Sequence, residues 1–191
     1  FAAPRFRSIL DLCAGTLPLS LELTRQARHR QVLAVDFCEG MLRAGKSTLP
    51  DDHRRPRIGP VCGDGERIPV QDNSVWGVTV AFGVRNLART QQGLNEMHRV
   101  LKPGGKLLIL EFSRPKNPVI KPLYSFYLNR VLPRVAGIVS GDKEAYEYLA
   151  SSIAAFYEPD ELMNMMRHAG FRTVHHKPLT FGIVTVYVGV K

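Results

Sequence analysis

The chain has 191 residues, 45% of them apolar, and carries 26 Lys and Arg against 17 Asp and Glu, a formal charge of +9. That length suits one domain with a buried core, and no apolar run reaches the roughly 18 residues that a membrane span needs. The basic residues are scattered (Arg25, Arg28 and Arg30, then Arg54, Arg55 and Arg57) with no stripe interleaved with aromatics, which argues against nucleic acid as a partner.

The opening Phe1-Ala-Ala-Pro-Arg5 lacks the charged-then-apolar order of a signal peptide. It runs almost directly into a strand, so a natural N-terminal segment is expected to be missing. Ser8–Cys13 reads as a buried strand and Leu17–Arg28 has helical apolar spacing. Gln31–Asp36 is a second strand, Gly40–Lys46 a short helix, Arg57–Cys62 a weaker strand and Val75–Phe82 a fourth. Gln91–Leu101 is helical, stopped by Pro103-Gly104-Gly105, and Lys106–Phe112 is a fifth strand. Short apolar strands alternating with helices predict a parallel sheet covered on both faces.

The last third differs. Val119–Val139 is apolar and aromatic, with either a core-facing helix or a lid as its reading. Lys143–Ala155 and Pro159–Ala169 read as helices. Phe171–Lys177 and Gly182–Val190 then read as an antiparallel hairpin at the sheet edge. Five α/β units plus this hairpin match a class I methyltransferase sheet. No domain linker interrupts residues 1–191, and 117–157 form a helical insertion that would act as a lid over substrate.

Ligands of open α/β sheets lie beyond the C-terminal strand ends, at the switch point. Asp11–Thr16, Asp36, Gly63-Asp-Gly-Glu66 and Phe82–Asn86 fall there. Asp36 can accept both hydroxyls of a ribose, though an acid in that place is also a helix N-cap. Asp64 can accept from an adenine amino group, and Met41 can pack on the ring unless it is core. Asp11-Leu-Cys-Ala-Gly-Thr-Leu-Pro18 has one glycine where a dinucleotide fingerprint has three, which argues against NAD and for a nucleoside cofactor without a pyrophosphate. Cys13, Cys38 and Cys62 form neither a disulfide framework nor a zinc set. They are expected to be small buried thiols beside the crevice in a reducing, cytoplasmic setting.

Gly63–Pro69, Ala81-Phe-Gly-Val-Arg-Asn86, Arg99–Gly105 and Leu110–Pro115 are followed by Tyr124, Tyr127, Asp142, Tyr146–Leu149 and Gly182–Val184. Together these motifs resemble the ubiquinone/menaquinone biosynthesis C-methyltransferase family (UbiE/MenG type) from about Ile9 to Lys191. The resemblance implies a class I fold with a mostly parallel seven-stranded sheet, S-adenosylmethionine as cofactor, and methyl transfer to a ring carbon of a demethylated isoprenoid quinol. By position, Asp11, Gly15, Thr16, Asp36, Asp64 and Gly65 match the family's cofactor contacts, with Met41 and Phe82 beside them. Arg85, Asn86, Asp142 and Tyr146 match its substrate side.

A quinol becomes a carbon nucleophile when one hydroxyl loses its proton. Arg85 can hold the resulting phenolate, Asn86 can orient a hydroxyl, and Asp142 or Tyr146 can take the proton. Arg85 can equally be a structural partner of Glu111. Tyr148 reads as helix packing, His98 as surface, and His175 and His176 as structural. Ile120–Leu132 can line a channel for the tail, or touch anionic lipid with Lys116, Lys121, Arg130 and Arg134 around it.

Three departures from the family pattern stand out. Leu17-Pro18 replaces Gly or Ala followed by Asp, and Leu17 is expected to add bulk where the methionine end of the cofactor approaches. Val75-Trp76 replaces Phe-Asp. The N-terminal helical segment that precedes the first strand in the family is expected to be missing. Two other readings therefore stay open: a class I methyltransferase with another small hydrophobic acceptor, and a scaffold that has lost its cofactor.

Overall fold

Alternating apolar strands and amphipathic helices build one sheet in the computed structural model, which describes residues 8–26, 31–52, 57–131 and 143–191. The first half runs β1 (Ile9–Leu12), α1 (Pro18–Gln26), β2 (Val32–Asp36), α2 (Glu39–Thr48), β3 (Ile58–Cys62) and β4 (Val75–Ala81). A tight helical turn, Val84–Asn86, leads to α3 (Thr90–Val100) and β5 (Leu101–Phe112). Then follow α4 (Ile120–Phe126), which continues as a wider turn to Val131, α5 (Lys143–Ala155), α6 (Pro159–His168), β6 (Thr173–Leu179) and β7 (Val184–Val190).

The seven strands lie in the order β3-β2-β1-β4-β5-β7-β6. β1 to β5 pair in parallel, Leu10 lying opposite Leu33 on one side and Val78 on the other. β7 runs antiparallel to both β5 and β6, with Glu111 opposite Thr185. The β3–β2–β1 half and the β4–β5 half wind outward from β1 and β4, which puts the switch point between those two strands.

Two cores hold this arrangement. Leu94, Met97 and Val100 of α3 and Leu162 and Met166 of α6 bury against Leu107, Ile109 and Tyr187. The three α3 residues recur at i, i+3 and i+6, which keeps them on one helical face. On the other face Leu17, Ala34, Leu42, Leu49 and Ile58 form a second cluster under α2. Leu108, on the same strand as Ile109 but pointing oppositely, stays 41% exposed although β5 lies inside the sheet.

Differences from the sequence-based reading are local. β5 is extended back to Leu101, through the Pro-Gly-Gly stretch, because Leu101 pairs with Val75 before the register shifts at Gly77. β7 starts at Val184 rather than Gly182, because Thr180 and Phe181 take left-handed backbone angles (φ 47° and 57°) in the turn between the hairpin strands. α4 buries none of its residues, so it is not the core-facing helix that was one of the two alternatives. Residues 27–28 and 132–139 of predicted helical stretches lie outside the described residues.

Candidate active site

Turns leaving β1, β2, β3 and β4 meet at the C-terminal edge of the sheet around a cavity of about 980 Å³. Asp11, Gly15, Thr16, Asp36, Met41, Asp64, Gly65, Phe82 and Asn86 all line it. Nine of the twelve candidate residues, drawn from segments far apart in the chain, thus share one crevice.

Asp36 joins two of its walls. One carboxylate oxygen accepts the Gly15 N–H and the other the Cys38 N–H, each at 2.8 Å. The Cys38 bond is local support at the start of α2, so the capping alternative is partly present, but Cys38 and not Asp36 precedes the helix. A carboxylate has about four acceptor sites, and these bonds use two. Gly15 has φ +54°, and a Cβ there would meet the Met41 methyl at 3.3 Å, so the loop and α2 close on each other only around a glycine. Opposite them, Asp64 accepts the Glu66 N–H at 2.8 Å and turns the chain after β3.

Asp11 forms the floor. The residue is 1% exposed, and its carboxyl accepts from Ser20 Oγ at 2.6 Å and Thr79 Oγ1 at 3.0 Å. Burial pushes its pKa up to about 6, against the lowering pull of those two hydroxyls. Burial likewise pushes the Cys13 thiol up to about 12, so this sulfur at the crevice wall is an unreactive thiol near neutrality. Cys38 and Cys62 are exposed, contrary to the expectation of buried thiols.

The residues expected on the substrate side are assembled differently. Phe82, with φ +57°, stacks at a tilt on Phe112, ring centroids 4.5 Å apart. Arg85 does not line the cavity. Its guanidinium donates to the Phe82 carbonyl oxygen and pairs with Glu111 at 2.8 Å, and it lies 5.4 Å from the Phe112 ring centre. Its Nε is buried without a hydrogen-bond partner. Burial raises the Glu111 carboxyl above the ordinary range, opposed by the Arg85 charge. The structural pairing of Arg85 and Glu111 is therefore present in the fold. Tyr146 is half-buried on α5 and is not among the cavity-lining residues. Asp142 lies outside the described residues.

Leu17, expected to add bulk where the cofactor approaches, does not line the cavity and lies 1% exposed within the cluster beneath α2. Its left-handed backbone (φ +69°) turns the side chain into that core, while Pro18 opens α1 and lines the cavity. His98 is not a surface group either: it is half-buried, edge-on to Phe171 with centroids 5.1 Å apart.

Sequence reasoning missed four participants. Phe37, 80% exposed on the cavity wall, had a legible signal as a large aromatic directly after the strand-ending acid. Ser20 and Thr79 had none, because their link to Asp11 is made by sheet and helix packing. Tyr148 reaches Asn86 Oδ1 at 3.3 Å from another element, which no sequence spacing reveals.

The family model described as the ubiE/COQ5 methyltransferase family matches residues 2–191. The chain is 42% identical over 184 residues to the ubiquinone/menaquinone biosynthesis C-methyltransferase UbiE of Geobacter sulfurreducens, covering 96% of this chain and 72% of that protein. It is 43% identical over 183 residues to the demethylmenaquinone methyltransferase of Clavibacter sepedonicus, covering 96% and 73%. Among solved structures, a SAM-dependent methyltransferase of Thermotoga maritima, a possible histamine N-methyltransferase, matches with a TM-score of 0.67 at 19% identity, covering 100% of this chain and 84% of that one. The [4+2]-cyclase SpnF matches with a TM-score of 0.72 at 13% identity, covering 97% and 74%. At such identities the structural likeness gives the fold alone, that of class I methyltransferases.

Proposed function

This chain belongs to the ubiE/COQ5 methyltransferase family, and from that premise we propose how its crevice carries out methyl transfer from S-adenosylmethionine to a ring carbon of a demethylated isoprenoid quinol. The chain is an S-adenosylmethionine-dependent C-methyltransferase of quinone biosynthesis.

The observation that carries the assignment of its residues is the Asp36 carboxylate, held between the Gly15 and Cys38 amides at the edge of the cavity with acceptor sites to spare. The donor set around it fits a nucleoside: Asp36 takes the ribose hydroxyls, exposed Phe37 and Met41 cover the adenine faces, and Asp64 accepts from the adenine edge. Gly15 and Thr16 present backbone to the rest of the cofactor, with Gly65 closing the wall and Asp11 giving a negative floor. The bound cofactor supplies an electrophilic methyl group on a sulfonium.

On the acceptor side, Asn86 hydrogen-bonds a ring oxygen of the quinol and fixes the carbon beside it in line with the methyl. Arg85 acts through its neighbours: tied to Glu111 and the Phe82 carbonyl, it holds the 82–86 turn in shape and adds a positive field behind the developing phenolate. Asp142 and Tyr146 are the candidates for taking the phenolic proton.

The described parts of 117–157, α4 with its continuation to Val131 and α5, serve as the lid. Along α4 and its flanks, Val119, Leu123, Phe126 and Tyr127 are exposed beside Lys121 and Arg130. No helix among the described residues is long and apolar enough to cross a membrane. This apolar and basic surface suits peripheral contact with an anionic bilayer, where the isoprenoid tail resides.

Calorimetric titration with S-adenosylmethionine, with NADH as control, tests the cofactor assignment. Saturable binding that is lost in Asp36→Ala is expected, followed by one added methyl group on demethylmenaquinol seen by mass spectrometry. Unchanged binding in Asp36→Ala would reject the ribose assignment, and methylation of other phenols but not of the quinol would reject the acceptor.

A further inference from the structure

Helix α5 is seated through Ala150 and Ile153, 8% and 2% exposed. Tyr148 is off that face and 58% exposed, so it contributes little to packing. Its hydroxyl nevertheless donates to Asn86 Oδ1 at 3.3 Å, joining residues 62 positions apart. The backbone of Asn86 is already fixed, because its N–H donates to the Gly83 carbonyl at 3.1 Å. Tyr148 therefore adds control of the side chain alone.

A carboxamide has one acceptor end and one donor end. With Oδ1 turned to the phenol, the Nδ2 donor pair is the end turned away from it. We infer that Tyr148 is a positioning and specificity residue: it turns Asn86 so that its NH2 group donates to the acceptor's ring oxygen beside the carbon to be methylated. The consequence is selectivity for aromatic acceptors with an oxygen ortho to the reacting carbon. A freely rotating amide would present either end and accept a ring hydroxyl as readily as donate to an oxyanion. The bond also ties α5 of the lid to the turn after β4, so the donor is set only while the lid helix is in place. This role for Tyr148 rests on the proposed quinol acceptor.

The test is a double-mutant cycle on Tyr148→Phe and Asn86→Ala, with methylation of a short-chain demethylmenaquinol and calorimetric titration of S-adenosylmethionine as readouts. Tyr148→Phe is expected to lower kcat/KM for the quinol about fivefold, the scale of one hydrogen bond, with cofactor affinity unchanged. In the Asn86→Ala background the same change is expected to cost nothing further. Wild-type kcat/KM in Tyr148→Phe overturns the inference, as does a loss that persists undiminished in Asn86→Ala or one matched by weaker cofactor binding. Failure of the unmodified chain to methylate any quinol would instead reject the acceptor assignment, and that control is run first.

Discussion

The Glu111 carboxylate has no exposed surface, and it lies 2.8 Å from the Arg85 guanidinium, which is itself only 11% exposed. Glu111 also accepts the Arg85 and Phe112 backbone amides, at 3.3 and 2.9 Å. One buried acid thus fixes both the arginine side chain and the start of the Val84–Asn86 turn. Removing one member of a buried pair leaves an uncompensated charge, at a cost of about 3–5 kcal/mol. Glu111→Ala and Arg85→Leu are each expected to lower stability on that scale in urea denaturation. The double variant Arg85→Leu/Glu111→Leu should be less destabilised than the sum of the two. Because the double variant lacks both ties to the turn, methyl transfer is expected to stay low in it even as stability recovers. Full recovery of kcat would mean that neither the hold on the turn nor the positive charge is needed.

Asp11 makes stability depend on pH. Its folded-state pKa is about 6 against an ordinary value of 3.8. Below about pH 4 the carboxyl is protonated in both folded and unfolded chains, and the full stability is present. Between there and about pH 6 the unfolded chain releases its proton while the folded chain keeps it, so stability falls as pH rises. The total loss across this window is on the order of 3 kcal/mol. Asp11→Asn keeps hydrogen-bonding partners for Ser20 and Thr79 and removes the ionisation. Its stability curve, measured by denaturation from pH 4 to 7, is expected to lack this fall. An unchanged slope would assign the pH dependence to other groups.

The strand ends were legible because each coincides with a change from apolar run to polar or glycine residue: Asp36 after Val32–Val35, Gly63 after Cys62, Gly83 after Ala81 and Phe82. Those places also hold most of the cofactor candidates, so the sheet order alone brought them together. The substrate side was less legible. Whether Arg85 faces the crevice or Glu111 is decided by packing between β4 and β5, and the sequence left both alternatives standing. Leu17 was misplaced for a related reason. The bulk of a side chain can be read from sequence, but its direction depended on a left-handed backbone that only glycine or a strained residue adopts. Tyr148 and Tyr146 differ by two positions on one helix, and neither spacing nor composition says which of them meets Asn86.

Gly45 sets the approach of α2 to the loop after β1. A Cβ there would lie 2.6 Å from both the carbonyl carbon and the oxygen of Thr16, backbone atoms that cannot swing aside. Gly45→Ala is expected to cost about 1–3 kcal/mol through overpacking, and to weaken S-adenosylmethionine binding because it displaces Thr16. Gly40 lies on the same helix, and its added Cβ would meet only Cys38 Sγ at 3.9 Å. Gly40→Ala should therefore be neutral or mildly stabilising. Equal effects at the two sites, compared by thermal melting, would mean that α2 can shift to accommodate the extra methyl.

The buried position of Leu17 separates an active crevice from a blocked one. If the side chain serves only the cluster under α2, Leu17→Ala will lower stability by about 2–5 kcal/mol. Bound S-adenosylmethionine should be held no more tightly than by the unmodified chain. A residue that obstructed the cofactor would behave oppositely, and its truncation would tighten binding. Calorimetry on the folded variant, at a temperature where both chains are fully native, distinguishes the two. Tighter binding would revive the reading in which Leu17 disables the site.

Membrane contact through α4 is a separate expectation for the proposed lid. Leu123 and Phe126 are 62% and 61% exposed, and Lys121 lies on the same short helix. Apolar insertion and charge attraction then act together, and each basic residue near an anionic surface adds about 1 kcal/mol at low ionic strength. Co-sedimentation with phosphatidylglycerol-containing vesicles is expected, with little binding to phosphatidylcholine alone. Lys121→Glu should weaken binding roughly fivefold or more and reduce its salt dependence. Leu123→Ser/Phe126→Ser should weaken it at any ionic strength, because burial of apolar area is not screened. Neither change touches the crevice, so methylation of a water-soluble short-chain quinol should persist while turnover of a long-chain quinol in vesicles falls. Equal losses on both acceptors would place α4 in the active site rather than at the bilayer, since a surface that only draws the tail from the bilayer cannot affect a substrate already in water.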